Sequence, residues 1–159
     1  MDTVRALLAI AIAAILLFPG CTGNQGNGLT EEDVAKLLNG TDRKNISVDI
    51  IIYHGEECPH CKRTISMLGL LNNSYDIGMT LRETWHDETN AKELESVFNR
   101  FGVDPGMRGV PVSIVNGKMM AIGELSLKNW VSVLDECGAG NCRDGVFYED
   151  PQTGNLVKG

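Results

Sequence analysis

The chain has 159 residues, a net charge of −7 and a hydrophobic fraction of 43%, enough for one domain around one core. Its 14 Lys and Arg are outnumbered by 21 Asp and Glu and form no stripe, so the electrostatic footprint of a nucleic-acid-binding protein is missing and the acidity reads as a solvated surface. There is no internal repeat and no long low-complexity tract.

At the N-terminus Arg5 precedes an unbroken apolar run, Ala6 to Phe18, closed by Pro19-Gly20-Cys21. The run is shorter than the ~20 residues of a spanning helix and fits the centre of a signal segment. Residues 1–21 are therefore set apart as a targeting segment. Gly20-Cys21 resembles the end of a lipoprotein signal, in which the Cys becomes the lipidated first residue, although Phe18 and Pro19 depart from that pattern. An ordinary signal and an uncleaved short anchor are the other two readings. Each places the rest of the chain outside the cytoplasm, and the lipid and the anchor hold it at the membrane. Residues 22–29 read as a flexible Gly/Asn-rich tether.

The folded domain is expected over 30–142. Thr30-Glu31-Glu32-Asp33 before Val34, Leu37 and Leu38 predicts an N-capped short helix ended by Asn39-Gly40. Val48-Asp49-Ile50-Ile51-Ile52-Tyr53 predicts a buried strand. Cys58-Pro59-His60-Cys61 follows, and Cys61, Ile65, Leu68 and Leu71 recur at helical spacing to about Asn72. Met79, Leu81 and Trp85 alternate in a second strand over Met79 to Trp85. A long helix from Asp87 puts Ala91, Leu94, Val97, Phe98 and Phe101 on one face and stops at Gly102. Gly109-Val110-Pro111 leads into Val112 to Val115, an Asn116-Gly117 turn, and a strand from Lys118 to Ile122. A last helix, capped by Ser126, turns Leu127, Trp130, Val131 and Leu134 inward. This βαβα-ββα order predicts an α/β fold with a central mixed sheet flanked by helices, its first two strands parallel and its last two a hairpin. Residues 143–159 show no clear period and are left as a C-terminal tail.

Two cysteines separated by two residues at a strand-to-helix turn are the pattern of a redox-active dithiol. Pro59 suits the first helical position. The free amides and positive end of the helix then favour a Cys58 thiolate. Cys58 is expected to be the exposed attacking sulfur and Cys61, a turn further in, the resolving one. A protonated His60 would favour the thiolate further, whereas Glu56 and Glu57 oppose it. A zinc site would add His54 with His60, or Cys137 with Cys142, but the latter spacing does not suit a zinc ribbon. The rival function is soft-metal binding or chaperoning of copper or zinc by the same cysteines. It lacks the expected Met/His clustering, since Met119 and Met120 read as sheet packing. No metal is assigned.

The Cys-x-x-Cys turn with Val110-Pro111 about 50 residues later resembles the thioredoxin superfamily over Val48 to Cys137. Pro-His between the cysteines is similar to the disulfide oxidases of the bacterial periplasm rather than to cytosolic thioredoxin, which carries Gly-Pro. The resemblance implies a thioredoxin-like fold and a cis Val110–Pro111 bond packed against the dithiol. Val110 and Pro111 would bind an extended substrate as an added strand. It also implies no diffusible cofactor, exported cysteine-containing proteins as partners, and a membrane redox protein that resets the site. Three features depart from thioredoxin. Ile52 stands where a buried acid is usual, Glu57 replaces the tryptophan before the motif, and the loop from Val103 to Arg108 is longer. The direction of electron flow, as oxidase, isomerase or reductant, therefore stays open.

Setting Cys21 aside for a lipid leaves the pairs Cys58/Cys61 and Cys137/Cys142, which can persist as disulfides outside the cytoplasm. The second pair reads as a structural disulfide or as a relay to the first. Asn39, Asn45 and Asn72 head glycosylation-type sequons. His86-Asp87 reads as a helix start. The function expected is an extracytoplasmic, membrane-anchored thiol–disulfide oxidoreductase.

Overall fold

In the computed structural model the described residues are 30–40 and 44–159. The targeting segment, Cys21 and the tether lie outside them. Thr30 caps helix α1 (Glu31–Asn39) through a reciprocal box with Asp33, and Gly40 ends it at a φ of 64°. Strand β1 (Ser47–His54) feeds helix α2 (Pro59–Leu71), which returns the chain to strand β2 (Asp76–Glu83). Helix α3 (Glu88–Phe101) starts where Asp87 accepts from the Thr89 and Asn90 N–H groups, and stops at Gly102 with φ 68°. A short 3-10 turn, Pro105–Met107, leads to strands β3 (Val112–Val115) and β4 (Met119–Ile122). Asn116 and Gly117 join them at φ 49° and 67°, the left-handed pair that a tight hairpin needs. Helix α4 (Leu127–Gly138) and strands β5 (Gly145–Glu149) and β6 (Leu156–Lys158) complete the chain.

The result is an α/β fold on a six-stranded mixed sheet of order β2-β1-β3-β4-β5-β6. β1 and β2 are parallel, β3 is antiparallel to β1 and β4, and β5 is parallel to β4. One face buries Val48, Ile50 and Ile52 against Leu68 and Leu71 of α2 and Trp130 and Leu134 of α4. The other buries Tyr53, Val112, Ile114 and Met120 against Leu94, Val97 and Phe98 of α3. No helix among the described residues is long and apolar enough to cross a membrane.

Three expectations change. β2 begins at Asp76 rather than Met79, because Asp76 and Ile77 extend the ladder beside Ser47 and Val48. Trp85 lies beyond its end. Ser126 precedes α4 but gives no side-chain cap; its N–H donates instead to Glu149 Oε2 at 2.7 Å. The C-terminal tail, to which the sequence assigns no element, is a hairpin that extends the sheet: Val146 and Phe147 are buried in β5, and Asp150 closes the turn to β6 by accepting from Gln152 and Thr153.

Candidate active site

β1 ends at His54, and a turn through Gly55 delivers Cys58 to the N-cap of α2. The Cys58 N–H donates to the Gly55 carbonyl at 3.2 Å, and Cys58 Sγ accepts from the Cys61 N–H at 3.1 Å. Pro59 occupies the first helical turn, where a missing N–H costs nothing. Cys58 and Cys61 are bonded, with Cα atoms 5.2 Å apart. Across from them Cys58 Sγ lies 3.9 Å from the Val110 carbonyl oxygen, and the Val110–Pro111 peptide is cis. The strand-helix turn and the start of β3 therefore bring all six expected residues of the site (Cys58, Pro59, His60, Cys61, Val110, Pro111) to one end of the sheet.

Cys58 is not the exposed sulfur that its place at the helix start suggests. It is 4% exposed, against 0% for Cys61. In this oxidised form the Cys61 N–H and the Val110 carbonyl both lie against its sulfur.

His60 is drawn sideways rather than toward Cys58. Its Nδ1 lies 2.8 Å from Glu124 Oε2 and 2.8 Å from Arg63 Nη2. That nitrogen either donates to the carboxylate or accepts from the guanidinium. Arg63 also donates to Glu124 through Nε at 2.8 Å and Nη2 at 2.7 Å. The Arg63 guanidinium, helped by His60, holds Glu124 below its usual pKa against the opposing effect of desolvation. The positive charge next to the dithiol is thus offset from the loop after β4.

A second network fixes the other flank. Burial works against ionisation of Glu83, but N–H groups of His86, Trp85, Glu56 and Asp87 converge on its carboxylate at 2.8 to 3.3 Å and hold its pKa low. They tie the turn before Cys58 to the segment before α3. His86 Nε2 meets Glu57 at 3.1 Å, and that carboxylate raises the imidazole pKa. Trp85, 52% exposed, stacks on Gly55, where a Cβ would overlap the indole. A tryptophan does flank the motif, then, but it comes from beyond β2.

Glu56, Glu57 and His86 are the one group of metal-ligating side chains found together among the described residues, their ligand atoms within 4.8 Å of one another. It includes neither cysteine pair, nor His54 or His60, and its oxygen and imidazole donors are not those a soft ion prefers. Met119 and Met120 are buried in the sheet.

Beside the dithiol runs a groove of about 600 Å³, walled by Met67, Val110, Pro111, Leu125, Glu124 and Glu149. The Cys137–Cys142 disulfide lies elsewhere, with Cys142 Sγ 3.7 Å from the Val115 carbonyl and the Cys137 carbonyl accepting from Asn116 Nδ2. Val110 precedes β3 and Val115 ends it, so the two disulfides sit at opposite ends of one strand. Arg63, three residues after His60, could have been placed near it from helical spacing; Glu124, Glu149 and Trp85 had no local signal. No protein-family model matches the chain, and neither the curated proteins nor the solved structures give a significant match.

Proposed function

We propose that the chain is an extracytoplasmic thiol–disulfide oxidoreductase with a thioredoxin-like fold, held at the membrane through its N-terminal segment and Cys21. One observation carries the reading: a vicinal cysteine pair at a helix N-terminus faces the Val110 carbonyl of an X-Pro loop at 3.9 Å. The helix amides stabilise negative charge on Cys58, and the loop offers backbone to an extended partner.

In the oxidising direction a partner thiolate attacks Cys58 Sγ, the Cys58–Cys61 bond breaks, and Cys61 leaves as a thiolate that takes up a proton. A second thiolate of the partner then attacks the partner sulfur bonded to Cys58, forming the partner's disulfide and expelling Cys58 as a thiolate. The partner loses two electrons and the pair gains them. The reverse sequence reduces a partner disulfide, with Cys58 attacking and Cys61 resolving. His60, Pro59 and the loop of Val110 and Pro111 position and bias the step; the dithiol itself is the redox group. A membrane redox protein returns the pair to its starting state, and exported cysteine-containing proteins are the substrates.

The test is equilibration with glutathione, followed by trapping with single-cysteine variants. Cys61→Ser should accumulate a mixed disulfide when its Cys58 thiolate attacks oxidised glutathione or a partner disulfide and expels one thiolate, with no second cysteine to resolve it, and Cys58→Ser should not. Stoichiometric Cu(I) binding by the reduced protein with no exchange in either variant would replace the proposal by the metal-binding reading.

A further inference from the structure

The far wall of the groove comes from the C-terminal hairpin. Glu149, the last residue of β5, reaches it, and its carboxylate differs from the others around the dithiol. Glu124 is met by Arg63 and His60, Glu57 by His86, and Glu83 by four backbone N–H groups. Glu149 accepts from the Ser126 N–H at 2.7 Å and from Asn129 Nδ2 at 2.6 Å, and both bonds end on Oε2. Among the described residues it forms no ion pair, and Lys128 of the adjoining helix reaches Asn155 instead. Burial opposes its charge, but the donors from Ser126 and Asn129 keep its pKa below the ordinary value, so it is ionised at neutral pH.

We infer that this groove docks an extended partner segment carrying a lysine or arginine within a few residues of its reactive cysteine. The head group would sit on Glu149, and the C-terminal hairpin would be the element that selects it. The groove joins two properties that such a side chain needs. Met67, Val110, Pro111 and Leu125 cover an aliphatic stem. At its end stands a carboxylate that accepts from Ser126 and Asn129 but has no cation of its own among the described residues. Glu149 itself repels an acidic side chain, and the net charge of −7 favours basic partners from a distance. Val110 lines the groove and also faces Cys58 Sγ, so a segment lying here presents its sulfur to the dithiol.

This rests on the exchange reading of Cys58 and Cys61, and the experiment separates the two. Peptides of one sequence carry a single cysteine activated as an aromatic mixed disulfide, with Lys, Gln or Glu scanned through the neighbouring positions. Release of the aromatic thiol by the reduced full chain is followed for each. Every rate is divided by that with dithiothreitol, which removes the effect of charge on the peptide's own sulfur. At the best position the Lys peptide should react about fivefold faster than the Gln peptide, and the Glu peptide slower than both. Glu149→Gln keeps an acceptor for Ser126 and Asn129 but should bring the Lys-to-Gln ratio to one. Independently of any variant, raising salt to about 1 M, where screening acts over about 3 Å, should collapse the wild-type ratio. Equal rates for all peptides, or a Lys preference that survives both Glu149→Gln and salt, overturns the docking site alone. Failure of every peptide to react, while dithiothreitol still reduces the Cys58–Cys61 bond, overturns the exchange reading and this one with it.

Discussion

Glu124 is the residue whose removal tests the electrostatics of the dithiol most directly. Glu124→Gln keeps an oxygen for Arg63 and deletes one negative charge. It also weakens the hold on His60 and Arg63, which the carboxylate now meets at 2.7 to 2.8 Å. Two unit charges 4 Å apart interact by about 1 kcal/mol in water and about 4 kcal/mol at an effective dielectric near 20. Charges about 8 Å apart interact by about 0.5 to 2 kcal/mol on the same scale, the range taken for Glu124, whose contact near the dithiol is His60, two residues after Cys58. The side chains of Arg63 and His60 are 55% and 63% exposed, which favours the lower end, about 0.5 to 1 kcal/mol. Losing an anion near a thiolate stabilises it. The alkylation midpoint of Cys58 should fall by about 0.4 to 0.7 pH units. The dithiol form gains the same energy, so the pair becomes more oxidising by about 10 to 20 mV against glutathione. The assay is thiolate absorbance against pH, paired with the glutathione equilibrium. A midpoint that stays put or rises, in a variant with wild-type unfolding, would refute the idea that Glu124 offsets the charge beside Cys58.

Replacing Cys137 and Cys142 together by Ser should cost about 2 kcal/mol in urea unfolding, the loop-closure value for so short a ring, and leave exchange through Cys58 unaltered; a loss of exchange would restore the relay reading. His86 is held above its usual pKa by Glu57, so the pair's contribution to stability is complete below about pH 6.5 and fades as the pH rises through the higher folded value. Urea midpoints from pH 6 to 9 should show this component in the wild type and not in His86→Asn; identical profiles would exclude it. Cys21→Ser should move the chain from the membrane fraction or block its processing, whereas a variant that stays bound and unprocessed like the wild type identifies an uncleaved anchor.

What could be read from the chain alone followed the strength of the local pattern. The run from Val48 to Tyr53 and the helical spacing after Cys61 are saturated with apolar residues, and Asn116-Gly117 can make few turns other than the one it makes. β2 was displaced by three residues because it is an edge strand: Ile77 is buried, while Leu81 is 45% exposed, and Trp85 completes an alternation that the backbone has already left. β5 is only five residues long and pairs with β4, across the whole of α4, so it is too short to show a period in the residues after Cys142. The cysteines and the X-Pro loop were legible because their chemistry is carried by adjacent residues. The burial of Cys58 and the partners of His60 and Ser126 were not, since Val110, Glu124 and Glu149 reach them from 52, 64 and 23 positions away.

The two borders of the sheet are guarded unequally. β6 ends the sheet with three residues, one of them Lys158, and offers an incoming strand little to pair with. β2 ends it with an eight-residue ladder whose middle, Gly78 to Leu81, carries no charge. Asp76 at one end and Arg82 and Glu83 at the other are what discourage a neighbouring copy from adding itself there. Erasing those charges would therefore surface first as concentration-dependent accretion of chains along β2, with the individual domains still folded.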